Sequence, residues 1–353
     1  MCPACATSCA TRTQIPTRFK AFPSGTHHLI PSFEFINLNP NSRSFVKFPE
    51  ISMFSKSKDG TAQGVAKQRL IESLATPDKR IINDPYACEF VFGSFVVKMM
   101  GHKFCVWLSQ KILPGWHEHL VSRTRFIDEL VEESSINETE QYVILGAGYD
   151  TRAHRLNFRH PFRVFEVDQP EVQERKRKKL PKVLLDNKSI QYVPVDFSYQ
   201  SVSKQLIESG FDRNKSTIIT LEGVSQYIAK EDFIALVQEI DSLIQNADAT
   251  FFVSYIDELF MTNPEECCGA GFRKPGEKFE LVRALSAKAG EPWISFYADT
   301  EIEQIFTKNG FSIEGKITLA DLNSRYFTPV GRTIPENRIF NLECFVVAKK
   351  NCN

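Results

Sequence analysis

The chain has 353 residues, with 43 Lys and Arg against 43 Asp and Glu, and 42% apolar residues that include 29 Phe. This describes a globular protein with a large core, either one big α/β domain with additions or two domains. A formal net charge of zero supplies no global field toward nucleic acid or acidic membranes, so neither is an expected partner without a local patch. No stretch reaches the roughly 20 uninterrupted apolar residues of a membrane helix; the nearest, Phe90 to Leu108, is broken by Lys98, His102 and Lys103.

From Met1 to Phe33 there is no acid, Arg12, Arg18 and Lys20 supply positive charge, and Ser, Thr and Pro recur. Residues 1–55 therefore read as an organelle transit peptide or as a disordered leader, with Met53 an alternative start. The expected location is the cytoplasm, or the chloroplast or mitochondrion where the leader is a transit peptide. Cys2, Cys5 and Cys9 resemble half a zinc site, but no second pair of that spacing follows. No metal is expected, and free thiols in a reducing compartment are the simpler reading.

Residues 56–135 have a helical texture, expected as an N-terminal helical cap. Val65, Leu70 and Leu74 suggest one amphipathic stretch, Asp84-Pro85-Tyr86-Ala87 a turn entering a second helix, and Arg123 to Glu133 a third. Residues 136–353 then alternate strand and helix. Strands are expected at Tyr142 to Leu145, Val164 to Asp168, Ile190 to Val195, Thr217 to Leu221 and Thr250 to Tyr255, with an antiparallel closing pair at Ser312 to Leu319 and Leu342 to Ala348. Helices are expected at Pro170 to Leu185, Phe233 to Ile244, Phe279 to Ala289 and Ile302 to Asn309. Such alternation predicts a mostly parallel sheet with right-handed crossovers. The basic run Arg175 to Lys179 lacks interleaved aromatics and reads as a solvated helix face rather than a nucleic-acid patch.

Ligands of open α/β sheets sit outside the carboxyl ends of the strands. Four successive strand ends carry Gly146-Ala147-Gly148, Asp168, Asp196 and Glu222. The glycines allow close approach of a ligand to the backbone. A dinucleotide site wants a third glycine, where this chain has Thr151, and Asp150 beside it would repel a pyrophosphate. A cofactor without phosphate fits better, and the amino group, carboxylate and sulfonium of S-adenosylmethionine suit a mixed-charge site.

At the second strand end, Asp168 can accept from both ribose hydroxyls, or cap the helix before Pro170. Asp196 can meet the adenine amine with Phe197 packed on the ring, or make an Asx turn. Glu222 can hold the cofactor ammonium, or be a buried paired acid. Arg123 or Arg125 can pair with the cofactor carboxylate, or with Asp128 or Glu129 at the surface.

The runs Arg123-Thr124-Arg125-Phe126, Val143 to Arg152 and Phe165 to Pro170, with Leu221-Glu222-Gly223 and Tyr227, resemble the leucine carboxyl methyltransferase family, and more closely its bacterial-type branch of S-adenosylmethionine-dependent methyltransferases. The segments Gly60-Thr61-Ala62 through Arg69 and Asp84 to Ala87 are similar to that branch's N-terminal helices. The resemblance implies a class I methyltransferase (Rossmann-like) α/β fold with a helical cap. It implies cofactor contacts from Arg123, Gly146, Asp168, Asp196, Phe197 and Glu222; the adjoining Ala147, Gly148 and Gln169 are expected at the same site. One departure stands out. Carboxyl methyltransferases of the family tend to have Asp-Leu-Arg at the third strand end, where this chain has Asp196-Phe197-Ser198. The missing Arg weakens the case for a protein C-terminal carboxylate as acceptor. Tyr227 is expected to face the acceptor, or to be core; Trp293, Phe296 and Tyr297 form an acceptor wall or core. The expected reaction is O-methylation, at carboxylate or hydroxyl, of a small-molecule acceptor. The alternatives are a nicotinamide-dependent oxidoreductase and a non-catalytic cofactor-binding protein.

Overall fold

Short apolar strands punctuated by acids and glycines build a sheet whose two faces are both covered. The computed structural model describes residues 60–197, 199–244 and 246–352; the expected leader and its Cys2, Cys5 and Cys9 lie outside them. Within the described residues, seven strands form one sheet in the order β3-β2-β1-β4-β5-β7-β6. They are β1 (Gln141–Leu145), β2 (Arg163–Asp168), β3 (Ile190–Pro194), β4 (Thr217–Leu221), β5 (Ala249–Tyr255), β6 (Ser312–Ile317) and β7 (Cys344–Lys350). The first five run parallel, and β7 pairs antiparallel with both β5 and β6. The mostly parallel sheet with helices is thus the α/β architecture that the alternation predicts.

Successive residues of β1 point to opposite layers, because strand side chains alternate. Val143 and Leu145 enter one apolar cluster; Tyr142 and Ile144 enter the other. The second cluster is closed by Val121, Phe126, Ile127 and Val131. These belong to a helix, Trp116–Ile136, that starts seven residues before the expected Arg123. Leu113-Pro114-Gly115 sets this start: Gly115 has φ +77°, and a Cβ there would lie 2.3 Å from the Arg338 carbonyl oxygen.

The long helices before β1 are α1 (Gly60–Ser73), α2 (Ser94–Ile112) and α3 (Trp116–Ile136). Asp84 does open a helix, but only a single turn, Ala87–Phe90. Its carboxylate accepts from the Tyr86 and Ala87 amides at 3.0 and 3.1 Å. The same Asp84 ties α1 to the sheet. It accepts from Arg69 Nε and Thr151 Oγ1, both at 2.8 Å, while Arg69 Nη2 donates to the Tyr149 carbonyl at 2.5 Å. Thr151, which stands where a dinucleotide fold has its third glycine, is therefore a buried anchor for α1, through Asp84.

The helix expected over Pro170 to Leu185 is broken in two, α4 (Pro170–Lys179) and a single turn at Lys182–Leu185. Pro181 explains the break, since it drives Leu180 to an extended ψ of 143°. The basic run on α4 is not one solvated face. Five consecutive residues exceed a helical turn, so they must point all ways round. Lys176 is buried and its ammonium donates to Glu166 at 2.6 Å, whereas Arg177 and Lys178 are exposed. No helix among the described residues is long and apolar enough to cross a membrane.

Candidate active site

The strand order reverses between β1 and β4, so the carboxyl ends of these two strands open a crevice. Register fixes what stands there. Leu145 pairs with both Val167 and Leu221, which puts Gly146, Asp168 and Glu222 side by side, one residue beyond. The crevice is a cavity of about 840 Å³. It brings together all ten residues expected at the site: Arg123, Gly146, Ala147, Gly148, Asp168, Gln169, Asp196, Phe197, Glu222 and Tyr227. Asp196 lies two residues past the end of β3, and Phe197 beside it is half-buried against the core.

The glycine turn is sterically required. Gly146 has φ +67° and Gly148 φ +44°. A Cβ on Gly146 would sit 2.4 Å from Val224 Cγ2, a branched methyl that cannot swing far. Gly146→Ala is expected to lose about 1–3 kcal/mol of stability from the left-handed backbone and the clash, and to weaken cofactor binding at least tenfold. Thermal unfolding together with calorimetric titration checks both; an Ala variant that binds as the parent does removes the glycine turn from the site.

Asp168 does not cap α4; Gln169 stands at the cap position without a side-chain bond. Instead, Asp168 Oδ2 accepts from the Gly148 amide at 2.5 Å and Oδ1 from the Gln169 amide at 2.7 Å. The carboxylate is thereby clamped at the cavity floor. Burial pushes its pKa up, against the lowering effect of the two amides.

Glu222 is the paired acid, half-buried at the end of β4. Arg123 Nε donates to its Oε1 at 2.9 Å and Arg152 Nη1 to its Oε2 at 2.6 Å. Arg123 is not a surface ion pair: it is 4% exposed and its Nη1 also donates to Glu343 Oε2. Arg125 is the residue that pairs with Glu129, at 2.9 Å. Arg152 further binds Asp128, at 2.8 Å, and Asp150. Asp150 is therefore part of a buried network rather than an isolated charge.

Two members of this network, Arg152 and Glu343, were not among the expected site residues. Arg152 closes the Val143 to Arg152 run, so its position was available. Glu343 lies just before β7, far along the chain, and its only signal is an acid set between Leu342 and Cys344. Glu343 also accepts from Ser254 Oγ and from His119 Nε2, both at 3.1 Å. Burial acts to raise its pKa, but Arg123 and His119 outweigh it and hold it down at about 2.

Of the three aromatics expected at an acceptor wall, only Trp293 lines the cavity. Tyr297 is fully buried in the core and Phe296 packs outside the cavity. Tyr227 does line it, lying against Ser286, Trp293 and Thr61, and burial raises its phenol pKa. The residues fit a phosphate-free cofactor. The glycine cradle would be filled by a single Cβ, and seven carboxylates line the cavity against three arginines, Arg69, Arg123 and Arg175. That balance favours a ligand with positive charge over a pyrophosphate.

The leucine carboxyl methyltransferase family profile matches residues 62–241, half of the chain. YktD of Bacillus subtilis, which carries the name of an S-adenosyl-L-methionine-dependent methyltransferase, is 29% identical over 231 residues, covering 64% of this chain and 68% of its own. A protein of the same designation from Mycolicibacterium paratuberculosis is 27% identical over 304 residues, covering 80% and 90%. In fold, the chain is similar to a DUF574 family protein from Streptomyces avermitilis, with a TM-score of 0.52 at 13% identity over 80% of this chain and 96% of that one. The chain belongs to the leucine carboxyl methyltransferase family and is an S-adenosylmethionine-dependent methyltransferase.

Proposed function

We propose that this enzyme methylates an oxygen of a small, largely apolar acceptor, and that the oxygen is a hydroxyl in preference to a carboxylate. The observation that carries this is an apolar wall of the cavity, built from Val65, Trp116, Leu120, Tyr227, Val282 and Trp293, which belong to one packed cluster. This wall suits a ring or an aliphatic body. It offers a carboxylate acceptor little: of the three arginines on the cavity, Arg69 is bound to Asp84 and the Tyr149 carbonyl, Arg123 to Glu222 and Glu343, and Arg175 stands on α4 near Asp168, on the nucleoside side. The missing Arg after Asp196 points the same way. Two buried polar atoms on the wall, Gln226 Oε1 and Trp293 Nε1, have no hydrogen-bond partner among the described residues. They suit a neutral acceptor's hydroxyl or carbonyl.

The cofactor, when bound, supplies an electrophilic methyl group. In this reading Gly146 to Gly148, Asp168, Gln169, Asp196 and Phe197 hold its nucleoside. Glu222 and Arg123 hold its amino-acid end, through the carboxylate lone pairs that the arginines leave and through the edge of the Arg123 guanidinium beyond its bonds to Glu222 and Glu343. The protein's task is then orientation and exclusion of water. A hydroxyl must lose its proton. Glu291 is the carboxylate on the acceptor side, where it also accepts from the Thr61 amide at 3.2 Å. Tyr227, kept neutral by burial, orients the acceptor rather than deprotonating it.

A screen of phenols, alcohols, carboxylic acids and amines with labelled cofactor tests the reading. Oxygen-methylated phenol or alcohol is the expected product. Glu291→Gln is expected to lower kcat by about a hundredfold with cofactor affinity unchanged. Turnover of amines alone, or of carboxylic acids alone, would overturn the assignment.

A further inference from the structure

The stretch Phe90 to Leu108, too interrupted by charge to span a membrane, carries the densest group of exposed apolar side chains among the described residues. Six of the twelve large apolar side chains that the described residues leave exposed lie between Phe92 and Trp107. Phe92 is 92% exposed, Met99 77% and Phe95 65%. Clustering of this kind on a soluble fold marks an interaction surface rather than scattered surface residues.

Their arrangement is ordered. Phe95, Val96 and Met99 form one stripe of α2, Phe92 precedes it, and Phe104 and Trp107 form a second stripe after Gly101, where φ is +72° and the helix kinks. The opposite side, through Val97, Cys105 and Ser109, is buried. It faces α1 and α3, which also line the active-site cavity. The charge is one-sided as well. Over Ser94–Ile112 there is no Asp or Glu, while Lys98, Lys103 and Lys111 are all exposed. No carboxylate among the described residues pairs with any of the three, and Lys111 lies 6.0 Å over the Trp107 ring.

We propose that this face of α2 docks on an anionic lipid surface, with Phe92, Phe95, Met99 and Trp107 in the interface and the lysines at the headgroups. Aromatic and apolar residues on one side of a helix, flanked by lysines whose stems reach back to the headgroups, are the composition of an in-plane membrane helix. A bilayer rich in acidic lipid supplies the missing negative charge, each basic residue near it contributing in proportion. A second copy of this chain complements the surface poorly, because a twofold contact would set its lysines against the same lysines.

The test is co-sedimentation of the full chain with vesicles of phosphatidylcholine alone and of phosphatidylcholine with phosphatidylglycerol, at low and high salt. Binding to the mixed vesicles, weakened by salt, is the expected result. Lys98→Ala and Lys103→Ala are each expected to lower partition roughly fivefold, the equivalent of about 1 kcal/mol. Phe95→Ser with Met99→Ser is expected to abolish it, with the unfolding temperature unchanged since both side chains face solvent. Absence of binding to either vesicle would overturn the proposal. So would binding indifferent to the lysines, or self-association in sedimentation velocity that Phe95→Ser removes.

Discussion

Asp168→Asn is expected to lower the affinity for S-adenosylmethionine by about a hundredfold, close to 3 kcal/mol, while the protein stays folded. The carboxylate has four lone-pair positions, and the Gly148 and Gln169 amides occupy two of them. The other two remain for the paired hydroxyls of a ribose. Hydrogen bonds to a charged acceptor are each worth about 1.5–3 kcal/mol, and the amide of Asn can accept with only one of its two heads. The glycine turn also loses one of its clamps, so Asn costs orientation as well as charge.

The pH dependence of binding is a second readout of the same residue. Burial raises the Asp168 pKa above the ordinary 3.8, so affinity should fall on acidification at a higher pH than a solvated Asp would give, and Asp168→Asn should flatten that fall. The stability of the free protein moves the other way for this group. Its folded form holds its proton more tightly than the unfolded chain does, so its own contribution rises as the pH drops through the raised value. Calorimetric titration across pH checks this; a variant that binds within a factor of three of the parent would remove Asp168 from the cofactor site.

The elements were legible wherever local pattern and tertiary environment agree. Four of the five parallel strands are largely apolar runs followed by a glycine or an acid, and register alone then carries Gly146, Asp168 and Glu222 to one level. The boundaries that differ have local causes that outweighed periodicity. Pro114-Gly115 starts the third long helix early, and Pro181 cuts the helix after β2. The basic run on α4 misled because charge composition carries no direction, whereas helix geometry turns Lys176 inward onto Glu166, an acid buried on β2.

At the site, residues adjacent to strand ends could be named because topology places them. What sequence order conceals is pairing across distance. Arg123 and Glu222 were each assigned to the cofactor separately, yet they bind one another across 99 residues. Glu343 joins them from 220 residues away, through the antiparallel strand that returns beside β5. No spacing rule links these positions. Only the sheet order does, by bringing the head of β7 next to the end of β5, where Ser254 also reaches Glu343.

This network sets the second large effect. Glu222→Gln is expected to cost about 2–3 kcal/mol of stability, a fall of roughly 5 °C in Tm. Removing a buried partner is most damaging when it leaves a charge alone. Here Arg123 keeps Glu343, and Arg152 keeps Asp128 and Asp150, which holds the loss below that of stranding an arginine. The acid limb of the stability curve gives the sharper test. Burial works to raise the Glu222 pKa, but Arg152 and Arg123 outweigh it and lower it from 4.5. A carboxylate with a depressed folded pKa contributes stability that is complete above its unfolded value and is lost as the pH falls toward the folded one. Glu343, held at about 2, behaves likewise, so the wild-type protein should lose stability steadily between about pH 4.5 and pH 2. In Glu222→Gln the fall over that window should be shallower by the share Glu222 contributes, because Gln does not titrate. Urea unfolding measured at intervals across the window separates the cases. Parallel curves for variant and parent would mean that Glu222 is not held ionised by its two arginines.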